Sequence, residues 1–376
     1  MSKEILAKLE SMKLKLTLMH VCGTHQDTLI RFGLDGEFKR VGIDIRQGPG
    51  CPVCVTPPAE IEEILALASA GKTIAVFGDV MRVPGQNGSL NDAKAAGADI
   101  RVVFGVDDAV AIARRIKKDV VFMGIGFETT APTTASALLS DPPDNFSVLS
   151  CHRTVPPALN AIASMGEIRL DGMIEPGHVS TIIGTKPYEF LSERYHIPQV
   201  VAGFEPLDLL MGVYMLAVQY REGRAEVENE YARVVKPEGN RIALGAMKDA
   251  FKPVDVVWRG FPVIEGSGLA IRERFEKHDA RKRFEDILKP VQTRKYREPK
   301  GCRCGEMLRG TLTSEECPLF AKVCTPMNPI GPCMVSREGS CCISYKYLKK
   351  EPARALNERN VRKRHSVQSQ LRSGNH

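Results

Sequence analysis

Val120-Val121-Phe122-Met123-Gly124-Ile125-Gly126-Phe127-Glu128-Thr129-Thr130-Ala131-Pro132 decides the fold. Its first half is an apolar run with no polar alternation, which marks a strand covered on both faces. Its second half is a short polar strand end, followed directly by a helical pattern at Thr133–Leu139. The same order of apolar run, polar turn and helix recurs through the first 260 residues. Strands are expected at Leu16–Cys22, Thr73–Phe77, Ile100–Phe104, Phe146–Ser150, Gly172–Ile174 and Gln199–Ala202, besides Val120–Ile125. Helices are expected at Pro58–Ala70, Asp107–Ile116, Pro156–Met165 and Leu207–Tyr220. The fold class is therefore α/β, with parallel sheets covered by helices. Gly203-Phe204-Glu205 repeats Gly126-Phe127-Glu128 between a strand and a helix, which points to two similar α/β halves.

The 376 residues are 43% hydrophobic, the composition of a globular chain with a real core. Ile5, Leu6, Leu9, Met12 and Leu14 make Met1–Lys15 an amphipathic helix rather than a secretion signal. No apolar run approaches the roughly 20 residues that span a bilayer, so no membrane association and a cytoplasmic location are expected. In that compartment cysteines read as metal ligands or redox groups rather than structural disulfides. The net charge of +7 lies in the tail: from Lys346 onward nine Lys or Arg face two Glu, and the body is close to neutral. A solvated basic end follows from this, and no nucleic-acid partner.

Six cysteines fall at Cys302, Cys304, Cys317, Cys324, Cys333 and Cys341. After Cys304 the spacings are 13, 7, 9 and 8, not the paired knuckles of a zinc finger. Four thiolates on irregular loops suit a cubane iron–sulfur cluster, which leaves two sulfurs over. Cys302-x-Cys304 is the natural redox pair. A zinc-stabilised binding protein is the alternative.

Ligands of open parallel sheets sit beyond the carboxyl ends of the strands, and three motifs lie there. In Cys22-Gly23-Thr24-His25-Gln26 the thiol meets a helix N-terminus, which favours the thiolate, with His25 near enough to serve as ligand or proton carrier. Both could equally be buried core residues. Gly48-Pro49-Gly50-Cys51-Pro52-Val53-Cys54 carries a C-x-x-C in a tight turn and reads as a dithiol/disulfide couple. In Gly126–Pro132, Glu128 and the threonines supply polar groups at a helix start, either as ligand contacts or as caps. Glu175-Pro176-Gly177-His178 also follows a strand and directs His178 toward the same crevice. Cys151-His152 reads as core.

Together these motifs, with Gly331-Pro-Cys-Met-Val-Ser336 and Glu338-Gly-Ser-Cys341, resemble the hydrogenase maturation protein family HypD, from about residue 15 to Leu348. The resemblance implies a scaffold on which the Fe(CN)2CO unit of [NiFe]-hydrogenases is assembled with a HypC-type chaperone, with cyanide delivered by a HypE-type protein. It implies Cys22 as the thiol that holds the iron and Cys51 with Cys54 as a thiol pair near the cleft. It further implies Cys317, Cys324, Cys333 and Cys341 as ligands of a [4Fe-4S] cluster, and Cys302 with Cys304 as a second pair. That region is similar to the cluster and dithiol of ferredoxin:thioredoxin reductase, so a protein-disulfide reductase is the alternative function. Gln26 departs from the family, where many relatives carry Glu, and Cys342 stands beside Cys341 as a competing thiol. The expected division is a helix at 1–14, an α/β domain at 15–140 and a second at 141–270, part of which crosses back to the first. A C-terminal [4Fe-4S] domain at 271–348 and a disordered basic tail at 349–376 complete it.

Overall fold

The computed structural model describes residues 2–86 and 88–348. The basic tail at 349–376 lies outside the described residues. In chain order the strands are β1 (Leu16–His20), β2 (Ile43–Gln47), β3 (Thr73–Val76), β4 (Ile100–Val102), β5 (Val120–Gly126) and β6 (Phe146–His152). They continue with β7 (Gly172–Pro176), β8 (Gln199–Ala202), β9 (Val227–Asn229), β10 (Phe251–Val257) and β11 (Val263–Ile271). Two sheets are wholly parallel, one in the order β2-β1-β7-β8-β9 and the other in the order β4-β3-β5-β6. All seven residues of β5 are buried, as its unbroken apolar run requires. The helices Pro58–Ser69, Val106–Arg115, Ala131–Leu139, Val155–Met165 and Pro206–Glu222 lie within two residues of their expected bounds. The amphipathic start is the helix Ser2–Met12, which buries Ile5 and Leu9.

Sheet membership does not follow the division at residue 140. β1 pairs with β7 (Leu18 opposite Gly172, Met19 opposite Met173), so the chain's first strands belong with its later ones. The chain leaves this sheet after β2, builds β3 to β6 as the second sheet, and returns at β7. Leu18 and Met19 are fully buried on opposite faces of β1, and β7 covers the edge of β1 that β2 leaves open. Such a non-local pairing has no local sequence signature.

The largest core cluster lies between the two sheets and extends under the C-terminal segment, joining Val21, Val53, Ile125, Trp258 and Met307. Smaller clusters cover the outer face of each sheet. The antiparallel hairpin β10–β11 closes over β6, where Ser150 Oγ donates to Leu269 O at 2.5 Å and Thr154 N–H to Ser267 O at 3.0 Å.

The charged stretch 272–300 is broken into Glu273–His278, Ala280–Arg283 and Glu285–Gln292. Phe275 departs from helical φ/ψ, and Asp279 caps a fresh start by accepting from Arg281 N–H. Beyond it come the short helices Cys304–Leu308, Pro332–Val335 and Ser340–Leu348. This segment touches both sheets' layers, through Asp27 with Tyr347 Oη (3.0 Å) and Asp79 with Arg337 N–H (3.1 Å). No helix among the described residues is long and apolar enough to cross a membrane.

Candidate functional site

β1, β5 and β7 point their carboxyl ends at one cleft of about 430 Å³. After β1, Cys22 is the N-cap of the helix Gly23–Arg31 and lines the cleft together with Thr24. The loop after β2 lies directly on it. Gly50 sits so close to the backbone of Val21 and Cys22 that a Cβ there would collide with it. Phe127 and Thr129 come from the end of β5 and His178 from the end of β7. The carboxyl-end rule for parallel sheets thus holds for both sheets at once.

Cys22 sits where the sequence placed it, at a helix N-terminus, but its thiol is not acidic. Burial pushes it up to about 11, against the opposing pull of the His25 and Thr24 amides, and Glu338's charge pushes it further. A thiol this strongly desolvated stays protonated at neutral pH unless a bound cation displaces its proton.

Several residues of the sequence motifs have other geometry. His25 is fully buried and outside the cleft wall; its Nε2 bonds the Gly203 carbonyl at 2.9 Å and approaches that of Ala202 at 3.3 Å. Burial, with His20 nearby, lowers its pKa to about 3, so it stays neutral. Gln26 bonds His20 Nε2 at 2.8 Å rather than facing the cleft. Glu128 is buried behind the wall, where Oε1 accepts Val155 N–H at 2.9 Å and anchors the first turn of the helix Val155–Met165. Burial raises its pKa to about 7. The Thr129–Thr130 pair does not cap its helix by side chain; Thr130 Oγ1 turns back toward the carbonyls of Ile125 and Phe127.

His178 does face the cleft, held by stacking on Phe204, and burial lowers its pKa. Cys151 and His152 are core, as expected, with His152 Nε2 on Thr134 Oγ1 at 3.0 Å. Sequence reasoning missed Asp79, which lines the cleft from the turn after β3, and Ser336 and Glu338, which line it from the C-terminal segment. In the sequence Glu338 stands out only as part of Glu338-Gly-Ser-Cys341. Its side chain is partly open to solvent, yet its surroundings raise the carboxyl's pKa, chiefly by burial and further by Asp79's charge.

Cys51 and Cys54 form a disulfide at the start of the helix Pro52–Val55. That helix packs against Cys304–Leu308 and Pro332–Val335, so the disulfide and the C-terminal thiols share one buried region. There the Cys302 and Cys304 sulfurs lie 3.2 Å apart. Cys304 also lies close enough to Cys333 to pull the Cys333 thiol down, although burial and the charges of Cys341 and Cys302 outweigh this. Burial raises the Cys324 thiol, and the charges of Cys302 and Cys317 add to that; Cys341 is raised by burial, then by Cys304, Cys324 and Cys302. Cys342 faces charged neighbours instead, Asp79, Lys346, Arg337 and Arg82. Among the described residues no three His, Cys, Asp or Glu converge as closely as one metal ion requires.

Comparison with known proteins places this geometry in context. The family profile described as "HypD: Hydrogenase formation hypA family" matches residues 1–348. A putative hydrogenase expression/formation protein of Methanocaldococcus jannaschii is 47% identical over 337 residues, which is 89% of this chain and 92% of that protein. The hydrogenase maturation factor HypD of Rhodobacter capsulatus is 45% identical over 336 residues, 88% of this chain and 89% of its own. That of Escherichia coli is 42% identical over 342 residues, covering 89% and 90%.

Proposed function

This chain belongs to the HypD family of hydrogenase maturation factors, and from that premise we propose that it is the scaffold on which the Fe(CN)2CO unit of a [NiFe]-hydrogenase is built. The work takes place in the cytoplasm, with a HypC-type chaperone and a HypE-type cyanide donor as partners and iron as the cargo. The observation that carries the reading is Cys22, the thiol on the wall of a cleft that both sheets and the C-terminal segment build together.

Ferrous iron with cyanide and carbonyl ligands is soft and low-spin, and a thiolate suits it. Val21, Phe77, Ile125, Phe127 and Val179 give the cleft apolar walls that keep water from competing for the metal. His178, neutral and fixed by Phe204, offers an imidazole nitrogen beside the incoming ligands. His25 and Glu128 act at one remove: His25 ties the Cys22 helix to the end of β8, and Glu128 anchors the helix that follows β6.

The thiol set fits a multi-iron cluster. A cubane takes its four thiolates on four different irons, so the ligands surround it rather than converge on one point. What supports that reading is that the C-terminal sulfurs are gathered in one region, with Cys324 and Cys341 in electrostatic reach of each other and of Cys302. A [4Fe-4S] cluster there would supply electrons singly to the thiols. Cys317, Cys324, Cys333 and Cys341 hold it, and Cys302 with Cys304 form the dithiol. The contact of Cys304 with Cys333 favours a second division, in which Cys302 is the fourth ligand and Cys304–Cys333 the dithiol. Iron content in Cys302→Ser and Cys333→Ser separates the two, because only the ligand's loss lowers it.

The dithiol adjoins the Cys51–Cys54 disulfide and can exchange with it. A thiolate attacks one disulfide sulfur, a mixed disulfide forms and a thiolate leaves; the second thiolate then breaks the mixed disulfide. Two electrons and two protons pass to Cys51 and Cys54, with nothing else consumed.

Cys22→Ala in a host lacking its own HypD tests the scaffold: hydrogenase maturation should be lost while the C-terminal iron is retained. Hydrogenase that still matures would remove Cys22 from the role. The buried disulfide beside a thiol cluster favours the reductase as second reading, which predicts reduction of a protein disulfide with no bound diatomic ligand.

A further inference from the structure

Cys333-Met334-Val335-Ser336-Arg337-Glu338-Gly339-Ser340-Cys341 leaves the thiol region, crosses the cleft and returns. Its middle, at Ser336 and Glu338, lines the cleft that holds Cys22. Two contacts fix that crossing, one on each sheet's side. On the second sheet's side, Asp79 sits in the turn Gly78–Val80 just beyond β3. Its Oδ2 accepts the Ser336 hydroxyl at 3.3 Å and Arg337 N–H at 3.1 Å. On the first sheet's side, Glu338 lies on Gly23, the residue after Cys22, so tightly that a Cβ on Gly23 would stand 2.8 Å from the Glu338 carbonyl. Ser336 is buried and also accepts Glu338 N–H at 3.2 Å, so one hydroxyl orders the whole crossing.

We propose that Asp79 is a positioning residue, which holds Ser336–Glu338 as a strap over Cys22 and so ties access to the cleft to the state of the thiol-rich segment. The tie is short. Cys333 lies three residues before Ser336 and Cys341 three residues after Glu338, and both are buried among the other sulfurs. Gly339 N–H bonds the Ser336 carbonyl at 3.0 Å, which closes the strap on itself and leaves little slack. When the sulfurs at its ends are gathered, the strap lies across the cleft; when they are released, Asp79 is the anchor that remains. The functional consequence rests on the reading of Cys22 as the iron-binding thiol, but the roof can be measured without iron.

The experiment uses the full-length chain, purified without oxygen, with iodoacetamide labelling of each cysteine followed by mass spectrometry. Asp79→Ala should raise the Cys22 labelling rate about tenfold, because labelling of a covered group follows its local opening. Asp79→Asn keeps an acceptor oxygen and should stay near the wild-type rate, which a general loss of structure would not allow. Ser336→Ala should raise the rate as well, and Cys341→Ser, which frees the far end, should do the same. Cys151, a core thiol remote from the strap, should label slowly in every variant. Cys22 labelling at the wild-type rate in both Asp79→Ala and Ser336→Ala would overturn the strap, and an unmoved rate in Cys341→Ser would overturn the tie to the thiol segment. Faster labelling in a protein whose Cys22 binds no iron would overturn the iron reading alone and leave the strap standing.

Discussion

The His178 ring lies stacked on Phe204, with centroids 3.8 Å apart and planes inclined by 23°. Phe204 in turn leans on His25, 5.1 Å away, so one aromatic ring joins the cleft histidine to the buried one. Phe204 follows the strand end of β8, and Tyr231 meets its edge at 5.8 Å. A strand none of whose residues lines the cleft thereby sets the position of a cleft imidazole.

Phe204→Ala should release His178. Burial holds the His178 pKa below its ordinary value, so losing the ring should move it up toward that of a free imidazole. An NMR titration of the His178 ring protons reads this directly, and an unmoved pKa would mean that other groups desolvate it. The stability loss should be about 1–3 kcal/mol, less than for a fully buried phenylalanine because Phe204 is half-buried.

Glu175 ends β7 with a carboxyl that is fully buried and has neither oxygen hydrogen-bonded. Burial raises its pKa from 4.5 to about 8. Between those values the folded protein holds a proton that the unfolded chain releases, so stability is full below the lower value and falls as pH rises through the upper one. Glu175→Gln should therefore match wild type near pH 4.5 and exceed it by on the order of a few kcal/mol by pH 8. Denaturant melts at the two pH values decide it; a constant difference between the proteins would contradict the assignment.

Arg281 joins the broken charged stretch to both layers of the second sheet. It bonds Glu63 Oε2 through Nη2 at 2.8 Å and the Ser150 carbonyl through Nη1 at 2.6 Å. Glu63 is buried, so Arg281→Met strands its charge and should cost about 2–4 kcal/mol, discounted for the partial exposure of the arginine. Arg281→Met with Glu63→Gln should recover part of that loss in a double-mutant cycle. Strict additivity of the two changes would show that the pair is not coupled.

Cys22, raised to about 11 by burial, should react unlike a surface thiol. In iron-free protein its iodoacetamide rate should still be climbing at pH 10, whereas an ordinary thiol, with a pKa near 8.5, is by then close to its plateau. A plateau by pH 9 would mean that the helix N-terminus prevails over desolvation.

Much of the fold was legible because its signals are local. Unbroken Val and Ile runs located β3, β5 and β8, and the helix periodicities held to within two residues. Four strands were missed for visible reasons. β2 (Ile43-Asp44-Ile45-Arg46-Gln47) and β9 (Val227-Glu228-Asn229) are sheet edges that mix polar with apolar residues. Pro253 disguises β10 and Gly266 with Gly268 disguise β11. The crossing that joins β1 to β7 rests on contacts more than 150 residues apart in sequence, beyond any local pattern.

The site divided in the same way. Cys22, His178 and the Cys51–Cys54 pair announced themselves at strand ends. His25 misled because, one turn into its helix, it points to the end of β8 while the N-cap thiol faces the cleft. Asp79 gave no signal at all, since its part depends on a strap whose sequence lies more than 250 residues away.

The central claim is that Cys22 holds the iron on which the diatomic ligands are assembled. Its most direct test is the infrared spectrum of the protein, purified without oxygen together with its small chaperone, beside that of Cys22→Ala. The account predicts cyanide and carbonyl stretching bands in the first and none in the second, with C-terminal iron present in both. Bands that persist in Cys22→Ala, or that are missing from wild type with its C-terminal iron intact, would contradict it.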